Sequence, residues 1–136
     1  MSRKQVLPEV LASQRESAHS PPFACSWTDS GPDTAWVHLA GALDFATVSE
    51  LARTLRELGA RARLIVLDMR ELDLIDFFGV HAIANASSKA REMGLRLVLL
   101  RGAPDIDRMF TLAGRLHEVE IGDPESGEPT AQALLG

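Results

Sequence analysis

The 136-residue sequence has no tyrosine, one cysteine and an aromatic content of only 5%. A lone Cys25 cannot close an internal disulfide or build a cysteine metal site, which fits a reducing, cytoplasmic setting. In its alternating segment it reads as a small apolar strand residue rather than a reactive thiol. Positive charge is also in deficit: 14 Lys and Arg against 19 Asp and Glu leave a net charge of -5. The arginines are scattered, so the chain lacks the basic field that nucleic-acid binding needs, and no nucleic acid is expected as a partner. No apolar run approaches the roughly 18 residues of a membrane span, and no direct membrane insertion is expected. The opening "MSRKQVLPEVLASQRESAHSPP" has no continuous apolar core behind its basic residues, so it does not read as a secretory signal.

Local chemistry is sparse as well. There is no G-x-G-x-x-G or Walker loop to cradle a phosphate, and no G-x-S-x-G nucleophile elbow. The four histidines, His19, His38, His81 and His117, lack metal-type spacing, and His38, alternating with Trp36, reads as structural. Asp44, Asp68, Asp73 and Asp76 fall near expected strand ends or loops. Carboxylates there could gather a metal or a phosphoryl acceptor, but helix and turn capping is the stronger reading. No cofactor or metal site is expected, nor is an enzyme.

What remains is an ordinary globular composition, 46% hydrophobic and 24% charged, sized for one domain. Residues 1–22, polar and closed by Pro21-Pro22, read as a flexible arm with a weak amphipathic turn at Leu7, Val10 and Leu11. Residues 122–136, with two prolines and several acids, read as a tail. The domain is expected over 23–121.

Inside it, "FACSWT" places Phe23, Cys25 and Trp27 on one face, and "TAWVHLAG" is a second alternating strand. Gly31-Pro32-Asp33 turns between them, which predicts an antiparallel pair. A helical period follows, with a Thr47/Glu50 capping box, a stripe of Val48, Leu51, Leu55 and Leu58, and Gly59 as the stop. "RLIVLDM" and "LRLVLL" read as buried strands. They flank a helix from about Phe77 to Met93 that ends at Gly94. Pro104-Asp105 opens a third helix carrying Ile106, Met109, Phe110 and Ala113, ended by Gly114, and "HEVEI" is a short last strand. The order ββαβαβα(β) predicts an α/β fold, a mixed sheet with helices packed on it.

The helix start in "LIDFFGVHA" is unusual. Asp76 suits the N-cap, accepting from the N–H of Phe78 or Gly79, yet two phenylalanines occupy the first helical positions. At about 100° per residue, Val80, Ile83, Ala84, Ser87 and Ala90 share the core face. Phe77 falls at its border with His81 and Ser88 beside it, and Phe78 points away with Asn85, Lys89 and Glu92. These rings either fold over the sheet edge and a neighbouring loop or form an exposed anchor for another protein.

Three stretches in order, "LAGALDFATVSELARTLREL", "LIVLDMRELDLIDFFGVHAIANASSKAREMGLRLVLL" and "DIDRMFTLAGRLHEV", resemble the STAS domain of anti-sigma factor antagonists. The resemblance implies a mixed four- to five-stranded sheet with helices mainly on one face. It also implies binding to an anti-sigma factor, a serine kinase with an ATP-binding fold, ended by phosphorylation of the residue after the loop Asp. Phe77 matches that phosphosite, Gly79 matches the loop glycine, and Asp44 matches an acidic residue near the site. Phenylalanine has no hydroxyl, so position 77 cannot accept a phosphoryl group, and Phe78 removes an adjacent serine. The expected partner-binding residues are therefore Asp76, Phe77, Phe78, Gly79, His81 and Asp44. A self-associating scaffold using Phe77/Phe78, a cytosolic accessory STAS subunit of a membrane transporter, and a nucleotide or small-molecule sensor are the competing readings.

Overall fold

A computed structural model describes residues 22–122. The expected arm and tail, apart from Pro22 and Gly122, lie outside the described residues. The elements are β1 (Ala24–Asp29), β2 (Thr34–Leu43), α1 (Val48–Gly59), β3 (Leu64–Ile75), α2 (Phe77–Glu92), β4 (Arg96–Leu100), α3 (Pro104–Leu112) and β5 (Glu120–Gly122), with one 3-10 turn at Leu116–Glu118. The strands lie side by side in the order β1-β2-β3-β4-β5. β1 and β2 form the antiparallel hairpin, and every later neighbour is parallel, as strand–helix–strand crossovers require. The fold is thus α/β, a mixed five-stranded sheet with three α-helices.

All three helices pack on one side of the sheet. Leu51 and Leu58 of α1, Val80, Ile83 and Ala90 of α2, and Ile106 and Phe110 of α3 share a core with Val37, Leu39, Ile65, Leu67, Leu97 and Leu99. The alternate residues, Trp36, Leu64, Val66, Val98 and Leu100, form a separate apolar cluster on the other side. β2 to β4 are therefore apolar on both faces, the pattern of strands covered twice. Cys25 packs against the helix-side core, and burial pushes its thiol above the ordinary value, which suits the structural reading of that residue. Trp27 lies beneath the Arg61 guanidinium, 4.5 Å from the ring centroid, a cation–π contact.

Three details differ from the sequence reading. β3 runs on past "RLIVLDM" to Ile75, so Asp73 lies inside a strand and Asp68 in its middle rather than near its end. Register shifts between His38 and Ala40, and between Gly41 and Ala42, let the longer segment of β3 stay paired with β2. The Thr47/Glu50 capping box does not form, because the Thr47 hydroxyl is already engaged. It accepts from the Asp44 N–H (2.9 Å) and donates to the Ala42 carbonyl (3.0 Å). Gly59 is the last residue of α1 but is not left-handed, whereas Gly94 and Gly114, past α2 and α3, have φ of 79° and 71°.

Gly41, at φ 85°, sits where a Cβ would overlap the Pro22 carbonyl oxygen, so only glycine fits that close approach at the sheet end.

Among the described residues Asp68 is the one buried acidic side chain, 6% exposed. Its carboxylate accepts from the Trp36 indole N–H (3.1 Å), the Arg70 backbone N–H (3.0 Å) and the Arg70 guanidinium (2.9 and 2.8 Å). Burial pushes its pKa up, but the hydrogen bonds from Arg70 and Trp36 outweigh it and hold the carboxyl below the ordinary carboxylate range. A depressed folded-state pKa stabilises the protein above the unfolded value, about 3.9, and that stability is lost as pH falls through the folded value. The urea-denaturation gap between wild type and Asp68→Asn is expected to be largest above about pH 4 and to narrow on further acidification. A gap independent of pH would show that the carboxylate charge contributes nothing.

Candidate functional site

Two strand ends meet in register. Leu43, the last residue of β2, pairs with Ile75, the last of β3, and each is followed by Asp-Phe: Asp44-Phe45 and Asp76-Phe77. Asp76 is extended, with φ −105° and ψ −177°, and its Oδ1 accepts from the Gly79 N–H at 2.9 Å, the N-cap bond expected. Its Oδ2 accepts from the Phe45 N–H at 3.1 Å, and the Asp76 N–H donates to the Leu43 carbonyl at 3.2 Å. One aspartate thus caps α2 and ties the β2–α1 loop to it.

Gly79 is buried under this junction. A Cβ there would come within 2.7 Å of Ile75 Cγ1 and 2.8 Å of the Leu43 carbonyl oxygen, so the loop glycine permits the close approach of the two strand ends. Asp44 works locally. Its Oδ1 accepts from the Ala46 N–H (3.0 Å), and the Thr47 hydroxyl lies 3.2 Å from the same atom. Its carbonyl accepts from the N–H groups of Thr47 and Val48, both at 3.0 Å. Asp44 therefore shapes the start of α1.

Above these carboxylates stand three aromatic rings. Phe45 is 70% exposed, Phe78 57% and Phe77 49%. Phe45 and Phe78 pack against each other with centroids 4.9 Å apart and planes tilted by 58°, a favourable aromatic geometry. Phe78 does pack beside the neighbouring loop, and both rings remain more than half exposed. Phe45 was not among the residues picked out from the sequence; the signal was the repeated strand-end pattern Leu-Asp-Phe and Ile-Asp-Phe.

His81 is exposed one turn along α2 from Phe77, and the structure brings it to Arg115 rather than to the other rings. Arg115 donates to His81 Nδ1 and to Asn85 Oδ1, both at 2.9 Å, and to both Glu118 carboxylate oxygens at 2.6 and 3.0 Å. Hydrogen bonding from Arg115 holds the Glu118 carboxyl below its ordinary range. Arg115 was also missed, because its partners on α2 lie 30 and 34 residues away. Between α1 and α2 an apolar hollow of about 320 Å³ is lined by Leu55, Ala82, Ala86, Met93 and Leu97, among others. Among the described residues no group of three His, Cys, Asp or Glu is placed to hold a metal ion, and no helix is long and apolar enough to cross a membrane.

The STAS domain model matches residues 28–126. The chain belongs to the STAS domain family. Solved structures with this STAS fold include an anti-sigma factor antagonist from Mycobacterium paratuberculosis, at TM-score 0.67 and 16% identity over 84% of this chain and 92% of that one. The Bacillus cell fate determinant SpoIIAA in its phosphorylated form matches at TM-score 0.62 and 19% identity, over 76% and 93%. The murine anion transporter Slc26a9 matches at TM-score 0.60 and 16% identity over 77% of this chain, which spans only 17% of the transporter. No curated relative matches the sequence.

If Asp76 joins the two loops, Asp76→Ala is expected to lower unfolding stability by at least the ~1 kcal/mol of a lost N-cap, because the bond to Phe45 goes with it. Asp76→Asn keeps a capping oxygen and should lose less. Equal urea midpoints for the two variants would show that the Gly79 bond does not matter to the fold.

Proposed function

We propose that this STAS domain is a non-enzymatic interaction module of the anti-sigma-antagonist type, binding an anti-sigma factor of the serine-kinase class. Its contact surface is the aromatic group at the starts of α1 and α2. The observation that supports this reading is the exposure of Phe45, Phe77 and Phe78 on a junction fixed from below by Asp76 and Gly79. Aromatic side chains with little freedom left to lose are effective interface anchors, and truncating such an anchor costs 2 kcal/mol or more, about 30-fold in affinity. Asp76 and Gly79 support the anchors, while Asp44 and His81 lie at their margin.

The second part of the proposal concerns regulation. Phe77 stands where the antagonist family carries its phosphorylatable residue, and its ring has no oxygen to receive a phosphoryl group. Binding at this surface is then constitutive, set by concentration and affinity rather than by a charge added at a helix N-terminus. The accessory-subunit reading rests on the likeness in fold to a transporter's STAS segment; the aromatic cluster favours the antagonist-type reading because it supplies a specific contact surface. The same rings could serve a self-associating scaffold, and the test separates the two.

Titration calorimetry against a purified anti-sigma serine kinase of the same source is expected to show at least a tenfold loss of affinity for Phe45→Ser/Phe78→Ser. Intact-mass measurement after incubation with that kinase and ATP should show no added phosphate on residues 76–79. If the double variant binds as wild type does, the aromatic surface is not the docking site. Dissociation of a wild-type dimer by the same substitutions, with no kinase binding by either, would instead select the scaffold.

A further inference from the structure

The hollow between α1 and α2, about 320 Å³, falls within the size range of small-molecule sites, roughly 300–1,000 Å³. Ile65 of β3 and Leu97 of β4, both members of the helix-side core, line it from the sheet. It stays open because α2 turns Ala82, Ala86 and Ala90 toward it, at the i, i+4, i+8 spacing of one helix face. Side chains that short leave the groove between two helices unfilled. The polar side chains that line it are Arg56, Asn85 and Lys89, and no Asp or Glu joins them. Glu57 and Glu92, the acids nearest in sequence to the two cations, are not among its walls. Neither the Arg56 nor the Lys89 side chain has a hydrogen-bond or ion-pair partner among the described residues. Asn85 Oδ1 already accepts from Arg115 at 2.9 Å, so the group it has left to offer is its amide N–H2. The polar side of the hollow is therefore all donor.

We propose that this hollow binds a small apolar monocarboxylate as a free molecule, its chain against Ile65, Leu97 and the α2 alanines and its carboxylate toward Arg56, Lys89 and Asn85. A head group that only accepts matches a rim that only donates, and a guanidinium fork is well shaped for a carboxylate. An ammonium head would meet two like charges and no acceptor side chain. Both cations stand in the last turn of their helices, where the helix dipole favours them without any ligand. What selects a carboxylate is that neither is paired and that no acid lines the hollow. Arg56 and Lys89 are exposed, so their attraction for an anion is screened by water. Burial of the chain then carries most of the affinity, and the charges choose the head group. The site is separate from the aromatic junction: Phe77 and Phe78 begin α2, whereas its residues in the hollow start at Ala82.

The test is an NMR titration of the full-length chain with sodium octanoate and, separately, with octanol, followed through the methyl groups of Leu55, Met93 and Leu97. Octanoate is expected to saturate a single site, shift these methyls and bind several-fold more tightly than octanol. The order is diagnostic, because a merely apolar hollow would favour the alcohol, whose head group costs less to desolvate. Arg56→Gln/Lys89→Gln, at two exposed positions, should weaken octanoate several-fold and leave octanol unchanged. Ala86→Leu, which fills the hollow, should abolish the binding of both; if that variant fails to fold, the double variant still decides. Octanol binding as tightly as octanoate, shifts that never saturate, shifts centred elsewhere, or unaltered octanoate affinity in the double variant would each overturn the assignment. Methyl shifts that appear on raising the protein concentration alone would overturn it too, by marking a second copy as the occupant.

Discussion

Asp76 joins two loops through the two oxygens of one carboxylate. Oδ1 takes the Gly79 N–H and so starts α2, while Oδ2 takes the Phe45 N–H and fixes the turn leading into α1. The bond to Phe45 could not form if the strand ends were out of register, because Leu43 and Ile75 must stand side by side for the carboxylate to reach across. The register in turn depends on the irregularities between β2 and β3, which absorb the extra residues of β3 before its end. The position of the aromatic surface is thus set by backbone pairing several residues away. Little of it comes from the rings themselves, which are more than half exposed or nearly so.

Elements with strong periodicity were legible in the sequence because one residue pattern served one purpose. The core face of α2, Val80, Ile83, Ala84, Ser87 and Ala90, is buried as its spacing implied, and Gly94 and Gly114 take the left-handed conformation past their helices. The N-cap at Asp76 was legible for the same reason. What was missed involves competition between local and distant partners. Thr47 and Glu50 have the spacing of a capping box, but Ala42 and Asp44 claim the threonine hydroxyl first. Arg70, Glu71 and Asp73 look like loop residues, yet β3 keeps them in the strand by bulging against β2. Phe45 and Arg115 acquire meaning only through residues roughly thirty positions away, which no local window contains.

The two faces of the sheet solve different problems. The helix side buries long aliphatic side chains between the sheet and the three helices of the described residues. The other side combines an apolar cluster with one buried carboxylate, and Asp68 is tolerable there because Arg70 and Trp36 supply donors to both of its oxygens. That arrangement also anchors Trp36: its indole N–H is satisfied within the sheet, so the ring is buried without stranding a donor.

Placing phenylalanine at the first two positions of α2 changes what the junction can do. A hydroxyl at a helix N-terminus would sit among donors suited to an anion, and a phosphate added there would be held by them. Asp76 already supplies the negative charge that this end favours, and the rings above it offer apolar area instead of an acceptor. Recognition at such a surface is governed by the water released from Phe45, Phe77 and Phe78, which depends weakly on ionic strength. A charge-switched site would behave oppositely, weakening or tightening with salt. On the reading proposed for this domain, its junction keeps the geometry of a switch while its chemistry is that of a permanently exposed apolar contact.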